Sequence, residues 1–282
     1  MEEDKPIHLI VFDFDWSMLD ENSDTWVLNQ LSPELLLREA TAERREETWP
    51  EFMDRMMGLI HQQNFGREDV ERAFHSVPFS PAMIKALEYC TSNKHEIVVI
   101  SGANDVFIDI ILHRYQVKHH ISRVHTHRGR WNTNGRLRVY PYHHIGRLCP
   151  EEDTLCAAEE EKPVVHGCDF CPVDLCKGAI LRPYLSQKKY SKVFYIGDST
   201  NDFCPSLHLS KMDHVLARRN FKLHKLLSQQ DTTKEEKKEK EEVEEEGNIP
   251  ISRRRLQAKL HLWDSADDVL AIFQQEMGHP PH

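Results

Sequence analysis

The sequence contains no apolar run long enough to span a membrane, which takes about 20 predominantly apolar residues. Residues 1–5 have neither the basic start nor the apolar stretch of a signal peptide. We therefore expect a cytoplasmic protein that does not associate with membranes. A formal net charge of −10 also argues against general nucleic-acid binding, although one acidic run near the C-terminus contributes part of it.

Cysteine is too scarce for a disulfide scaffold. Seven cysteines are an odd count, and no small secreted domain surrounds them, so we expect reduced thiols. Cys168, Cys171 and Cys176 follow His166 closely, and these four side chains are of the types that bind zinc. The second ligand pair of a common zinc-finger spacing is absent. We favour a compact turn with buried thiols, with zinc as the alternative.

The stretch that organises the chain is residues 9–12, which is followed by Asp13 and Asp15. Four consecutive apolar residues predict a central strand of a parallel sheet, buried on both faces. Carboxylates at the end of such a strand need a cation, strong hydrogen bonds or raised pKa values. The carboxyl ends of parallel strands are also where open α/β sheets bind ligands. The two aspartates are therefore a candidate site, although a role as turn caps is an alternative for this motif alone.

The rest of the chain alternates between predicted helices and strands, with one helical interruption. Residues 23–77 carry apolar side chains near helical spacing, which predicts a small helical domain inserted after the first strand. Residues 6–22 and 78–227 form the expected α/β core. Residues 228–249 are too highly charged to bury apolar surface, so we expect a flexible insertion there. Residues 250–282 are expected to return to the core.

Two further buried strands are predicted at residues 96–100 and 192–196. The first is expected to end in a turn at residues 101–105, where the Ser101 hydroxyl and free backbone amides before a helix suit an anion. The second is followed by a turn that carries Asp198 and Asp202. A hairpin is predicted at residues 130–137, with Asn134 and Gly135 both at positive φ.

The strand ends carry D-x-D, S-G and G-D-x-x-N-D in this order, and Lys177 precedes the third motif. This combination resembles the haloacid dehalogenase superfamily of phosphotransferases. Three segments look like its PHOSPHO-type phosphatases, namely residues 20–26, the C-x-x-C-P-x-x-x-C-K segment at 168–177 and the G-D-x-x-N-D-F-C-P segment at 197–205. The resemblance implies an α/β fold with a Rossmann-like core, a mostly parallel central sheet and a small helical cap.

The resemblance also implies how the acidic residues divide the chemistry. Asp13 is expected to be the nucleophile that forms an aspartyl phosphate, and Asp15 the general acid and base. Mg²⁺ is the expected cofactor, because a carboxylate facing a phosphate dianion is a poor nucleophile until charge is neutralised. Its ligands would be the Asp13 and Asp198 carboxylates and the Asp15 backbone carbonyl, with Asp202 orienting this shell rather than binding the metal.

Four further residues are expected to bind the substrate. The Ser101 hydroxyl, the Gly102 amide and the Lys177 ammonium would stabilise the charge on the transferring phosphoryl group. Asp24 lies where the resembling phosphatases use an aspartate to sense the group beyond the phosphate. Gly102 replaces an aspartate that phosphoethanolamine- and pyridoxal-phosphate-cleaving relatives carry, which leaves room for a larger leaving group.

These features favour a Mg²⁺-dependent phosphomonoesterase for a small soluble metabolite. Candidate substrates are pyridoxal phosphate, phosphocholine, phosphoethanolamine and thiamine monophosphate. One alternative is a pyrophosphatase with the same mechanism, and another is a catalytically silent binding module with the same fold. Every catalytic position is filled, which argues against the silent module. The sequence carries no signal for an oligomeric state.

Overall fold

The computed structural model describes residues 6–41, 46–143, 166–187, 189–232 and 254–278. The strands in these ranges are β1 (Leu9–Phe12), β2 (Glu96–Asn104), β3 (Arg123–Trp131), β4 (Leu137–Tyr140), β5 (Val193–Gly197), β6 (His214–Arg218) and β7 (Lys259–Trp263). The α-helices are α1 (Ser23–Leu31), α2 (Pro33–Thr41), α3 (Trp49–Gln62), α4 (Arg67–Ala73), α5 (Pro81–Ser92), α6 (Asp105–Arg114), α7 (Lys177–Ser186), α8 (Phe203–Ser206), α9 (Lys222–Thr232) and α10 (Ala266–Met277). None of these helices has the length and apolarity that crossing a membrane requires.

The strands form one sheet in the order β4-β3-β2-β1-β5-β6-β7. All neighbouring pairs are parallel except β3 and β4. Strand β1 lies in the middle, where Ile10 pairs with Ile97 of β2 and with Phe194 of β5. All four residues of β1 are fully buried, as expected for a strand covered on both faces. The predicted α/β fold with a mostly parallel sheet is confirmed.

This strand order determines where the polar motifs meet. Because β2 and β5 both run parallel to β1 and flank it, their carboxyl ends lie on either side of Asp13. The segments that follow β1, β2 and β5 therefore share one edge of the sheet, as ligand-binding segments of open α/β sheets do.

Strand β2 extends further than predicted, and the prediction of a turn at residues 101–105 is wrong. The strand continues to Asn104, which pairs with His127 after an irregularity in the register. The Thr126 hydroxyl donates to the Ala103 carbonyl at 2.5 Å, so the extension is held by β3. Helix α6 then begins directly at Asp105, with Asn104 as its N-cap. Contacts between distant segments keep these small polar residues in a strand.

The predicted hairpin connects β3 and β4, but its turn differs in one residue. Gly135 has a φ of 79°, whereas Asn134 is outside the positive-φ region. The Asn132 side chain accounts for this, because its oxygen accepts hydrogen bonds from the backbone amides of Asn134 and Arg136. With the turn closed in this way, only the glycine adopts the left-handed conformation.

Helices α1 to α4 lie between β1 and β2 in the chain, and two contacts show how they pack. The Trp26 indole of α1 donates to the Ala73 carbonyl of α4 at 2.8 Å. Asp54 of α3 accepts from Arg136 and Arg138 at the start of β4, at 2.9 and 2.8 Å. The division into core and cap domains stays a prediction. From residue 233, the predicted flexible insertion lies outside the described residues.

Candidate active site

Asp13 follows the central strand directly and is held from several sides. Its backbone amide donates to the Ile196 carbonyl of β5 at 2.9 Å. Its Oδ1 atom accepts from the Phe14 amide at 2.7 Å and lies 2.8 Å from Lys177 Nζ. The side chain is almost fully buried. The carboxylate is thus fixed in position before any ligand binds.

Lys177 is fully buried, and its ammonium lies between two carboxylates. Its Nζ atom is 2.8 Å from Asp13 Oδ1 and 2.7 Å from Asp202 Oδ1. Burial opposes the charged form, but the two carboxylates outweigh it and raise the pKa of Lys177. The lysine is the first residue of α7, and the Cys176 side chain caps this helix by accepting from the Ala179 amide. Lys177 is therefore a permanently charged group at the edge of the sheet.

Both carboxylate oxygens of Asp202 are already occupied by protein donors. Oδ1 accepts from Lys177 and from the Tyr195 hydroxyl at 2.7 Å. Oδ2 accepts from the backbone amides of Asp198 and Ser199, at 3.1 and 3.0 Å. This pattern leaves Asp202 to orient the loop that follows β5 and to position the lysine.

Two further residues support Asp202, namely Gly197, which begins the G-D-x-x-N-D motif, and Tyr195, which did not emerge from the sequence. A Cβ atom on Gly197 would lie 2.6 Å from Asp202 Cγ, so this position requires glycine. Tyr195 is fully buried, and its hydroxyl needs a partner there. A tyrosine in an otherwise apolar strand, next to two carboxylates, is the signal that would have identified it.

Asp198 completes an acidic group with Asp13 and Asp202, and one carboxylate oxygen from each lies within 4.8 Å of the others. The Ser17 hydroxyl donates to Asp198 Oδ1 at 3.4 Å. Burial, together with neighbouring carboxylates, raises the pKa of Asp13 to about 6 and that of Asp198 to about 9.

The donor set formed by Asp13 and Asp198 fits a small divalent cation. Oxygen ligands are those that Mg²⁺ prefers, and a bound cation would relieve the repulsion that raises both pKa values. Because the oxygens of Asp202 accept four hydrogen bonds from the protein, this residue is left beside such an ion rather than bound to it.

Asp15 lies in the same loop, but its side chain is directed to the start of α1. Oδ1 accepts from the Ser23 amide at 2.9 Å, and Oδ2 accepts from the Asn22 side chain at 3.3 Å. Burial and the Asp24 carboxylate raise the pKa of Asp15 well above its usual range, although the Ser23 hydrogen bond opposes this. A carboxyl group that retains its proton is suited to act as a general acid.

Asp24 is buried on α1, and one of its two carboxylate oxygens accepts a hydrogen bond from a described residue. Its Oδ2 atom accepts from the Trp49 indole at 2.7 Å, whereas Oδ1 has no hydrogen-bond partner among the described residues. Burial raises the pKa of Asp24 to about 7, even though the Trp49 hydrogen bond lowers it. A buried carboxylate oxygen without a donor favours a ligand that supplies one. No local pattern in the sequence marks Trp49 as its partner.

Ser101 and Gly102 lie in the extension of β2. The Ser101 hydroxyl is buried and accepts from the Ala103 amide at 3.1 Å. A Cβ atom on Gly102 would be 3.5 Å from the Asn201 side chain, which is an ordinary contact. Gly102 thus lies beside the loop that carries Asp198, and this position has space for a Cβ atom. Asn201 is the asparagine of the G-D-x-x-N-D motif, but its position beside Gly102 did not emerge from the sequence.

Residues 8–277 match the family described as Putative Phosphatase. The chain belongs to this family. Human pyridoxal phosphate phosphatase PHOSPHO2 is 31% identical over 228 residues, which cover 78% of this chain and 86% of the human protein. Inorganic pyrophosphatase 2 of Arabidopsis thaliana is 31% identical over 225 residues, covering 78% of this chain and 74% of that protein.

A solved structure agrees at the level of fold. A HAD family hydrolase from Salmonella enterica subsp. enterica serovar Typhi superposes with a TM-score of 0.50 at 14% identity, covering 76% of this chain and 64% of that chain. Membership of the Putative Phosphatase family, together with the similarity to PHOSPHO2, confirms the predicted resemblance to PHOSPHO-type phosphatases. It also confirms the prediction that this protein is a phosphatase.

Proposed function

We propose that this member of the Putative Phosphatase family is a cytoplasmic, Mg²⁺-dependent phosphomonoesterase that hydrolyses a small phosphorylated metabolite through an aspartyl phosphate. One observation carries the proposal: the buried Asp13 carboxylate contacts the buried Lys177 ammonium, which in turn contacts Asp202. A fixed carboxylate beside a fixed positive charge at the carboxyl end of the central strand supports a nucleophilic role for Asp13.

In the first step, an Asp13 carboxylate oxygen attacks phosphorus, and the bond from phosphorus to the leaving oxygen breaks. Asp15 donates its proton to that leaving oxygen, for which its raised pKa suits it. The Asp15 carboxylate then accepts a proton from water as the water attacks the aspartyl phosphate. Inorganic phosphate leaves, and both aspartates return to their starting states.

Charge stabilisation comes from groups around Asp13. The Lys177 ammonium, the Ser101 hydroxyl and the Gly102 amide would stabilise the oxygens of the transferring phosphoryl group. Mg²⁺, when bound by Asp13, Asp198 and the Asp15 backbone carbonyl, would supply the charge neutralisation that lets a carboxylate approach a phosphate. The acidic donor set and the occupied oxygens of Asp202 support this assignment of ligands.

The group beyond the phosphate is expected to meet Asp24. Within the described part of the chain, its buried Oδ1 atom has no donor, which favours a leaving group with a positive charge or a hydrogen-bond donor. With glycine at position 102, one negative charge is missing and more room is available. We therefore favour larger esters such as pyridoxal or thiamine phosphate over phosphoethanolamine and phosphocholine. The similarity to human PHOSPHO2 supports the same choice.

Hydrolysis of inorganic pyrophosphate is the second candidate, because Arabidopsis Inorganic pyrophosphatase 2 is equally similar to this chain. The environment of Asp24 opposes it, since a buried carboxylate beside the leaving group repels an anionic phosphate. Turnover of pyrophosphate that improves in Asp24→Asn would favour this second function.

A screen of small phosphate esters and pyrophosphate, with and without Mg²⁺, tests the proposal. We expect Mg²⁺-dependent phosphate release from at least one ester and none from Asp13→Asn, which keeps the size of the side chain and removes the nucleophile. Asp20→Asn is the control, because this exposed carboxylate follows the same loop without entering the site. Turnover near wild type in Asp13→Asn would disprove the assigned nucleophile.

A further inference from the structure

Four cysteines converge in one place outside the acidic site. The Sγ atoms of Cys168, Cys171, Cys176 and Cys204 all lie within 4.8 Å of one another. Cys204 Sγ is 3.7 Å from Cys168 Sγ and 3.9 Å from Cys176 Sγ. All four are free thiols. We call this group the cysteine cluster.

The geometry of the cysteine cluster fits one tetrahedral metal ion. A Zn–S distance of about 2.3 Å corresponds to sulfur separations of about 3.8 Å in a regular tetrahedron. The two measured separations agree with this value. A disulfide would require about 2.05 Å between two sulfurs and would leave the other two unexplained. Sets of four thiolates suit zinc among the metals that proteins bind.

The composition of the cluster differs from the set that the sequence suggested. His166 is not directed to the sulfurs, because its Nδ1 atom accepts from the Cys168 amide at 3.1 Å. Its Nε2 atom lies 2.9 Å from the Pro172 carbonyl, so the ring closes the loop that carries Cys168 and Cys171. Cys204 is the fourth member of the cysteine cluster. It lies in α8, which follows β5 in the chain.

Two sulfurs of the cluster have a polar neighbour, and α7 packs closely against one of them. The Ala179 amide donates to Cys176 Sγ at 3.3 Å, at the N-terminus of α7. His208 lies 4.0 Å from Cys204 Sγ. A Cβ atom on Gly178 would be 2.6 Å from the same sulfur, so only glycine lets α7 approach Cys204 this closely.

We propose that Cys168, Cys171, Cys176 and Cys204 bind one Zn²⁺ ion in a closed structural site. The ion links the loop at 168–176 to α8. Because Lys177 follows Cys176 and α8 follows Asp202, the ion would also hold the two ends of the buried ion pair in place. This site is separate from the acidic group of the proposed function.

Metal analysis of the full chain, expressed with zinc in the medium and purified in metal-free buffer, tests the proposal. We expect about one zinc per chain in the wild type and at least about tenfold less in Cys204→Ser and in Cys171→Ser. Cys171 is only partly buried, so its replacement tests the site even if Cys204→Ser does not fold. The matched control is Cys90→Ala, which removes a buried cysteine of α5. This variant should bind as much zinc as the wild type.

Two further measurements separate this site from the catalytic one. Asp13→Asn should retain zinc while losing turnover, which distinguishes failure of the zinc proposal from failure of the proposed function. Cobalt added to zinc-depleted protein should produce thiolate-to-cobalt charge-transfer absorption in the wild type and Cys90→Ala, but much less in Cys171→Ser. Wild-type protein with no bound metal and no cobalt absorption would overturn the proposal. Iron in place of zinc, or a disulfide within the cluster, would also overturn it.

Discussion

The Nζ atom of Lys177 lies 2.8 Å from Asp13 Oδ1, and neither side chain has more than slight access to solvent. Removing one partner of a buried ion pair leaves an uncompensated charge, which costs about 3–5 kcal/mol. The contact therefore contributes to stability as well as to the proposed chemistry.

Lys177→Met should abolish turnover and lower the free energy of unfolding by about 3 kcal/mol. The loss should be larger near pH 8 than near pH 5, because Asp13, with its pKa raised to about 6, is neutralised at the lower pH. Urea unfolding at both pH values measures this loss in the free energy of unfolding. The matched control is Lys189→Met, whose half-exposed contact with Glu96 should contribute less than about 1 kcal/mol. Equal losses in the two variants would contradict a special role for Lys177.

Asp15→Asn should lower turnover by about a hundredfold to ten-thousandfold, the usual contribution of a positioned acid or base. A vanadate or fluoride mimic of phosphate should still bind, because Asp13 and Lys177 are unchanged. Single-turnover kinetics and mimic binding by calorimetry give the two quantities. An unaltered rate and pH profile would mean that another residue transfers the proton.

Gly102→Asp should shift kcat/KM toward phosphoethanolamine relative to pyridoxal phosphate, and Asp24→Ala should shift it away. A Cβ atom at position 102 makes only an ordinary contact, and one charged contact in a partly desolvated pocket is worth roughly 1.5–3 kcal/mol, or more than tenfold. Competition assays with both esters measure the ratio. A strong wild-type preference for phosphoethanolamine, unchanged in both variants, would place substrate recognition elsewhere.

Chelation of Mg²⁺ should stop turnover, and excess Mg²⁺ should restore it. Ca²⁺ should restore little, because its larger and more variable coordination disturbs the alignment of attack. Mg²⁺ should also raise the Tm of the wild type by binding only the folded state, and Asp198→Asn should show a smaller shift. Full activity in excess chelator would contradict the proposed cofactor.

Two buried histidines should stabilise the fold less in acid. His8 and His214 are buried, and burial lowers the pKa of each to about 4, compared with about 6.5 in an unfolded chain. Between these values the unfolded chain binds more protons, so the stability that the two histidines contribute is fully present above about pH 6.5 and falls as the pH falls toward 4. Each histidine accounts for a loss of about 2 kcal/mol at about pH 5, whereas Asp13, Asp24 and Asp198, whose pKa values burial raises, oppose the loss.

Urea unfolding at about pH 7.5 and about pH 5 measures this loss. Between the two pH values, His214→Gln should lose about 2 kcal/mol less stability than the wild type, whereas exposed His113→Gln should match the wild type. If His214→Gln loses as much stability in acid as the wild type, other groups cause the effect.

The sequence predicted the sheet and its central strand because apolar runs such as residues 9–12 carry their signal locally. It also placed the aspartates correctly at strand ends, although their catalytic roles stay predictions. It missed the length of β2, because the contact between Thr126 and Ala103 joins residues far apart in the chain. Trp49 beside Asp24, and Cys204 beside Cys168, were missed for the same reason.

The hydrogen bond from the Ser23 amide to Asp15 connects proton affinity to the position of a helix. This bond favours the ionised carboxylate, and it exists only while the first turn of α1 lies against the loop after β1. Withdrawal of α1 would remove this bond together with the Asp24 carboxylate and part of the burial, and these two raise the pKa of Asp15 more than the bond lowers it. Asp15 would therefore be a stronger acid without α1, and it retains its proton for the leaving oxygen while the helix covers the loop.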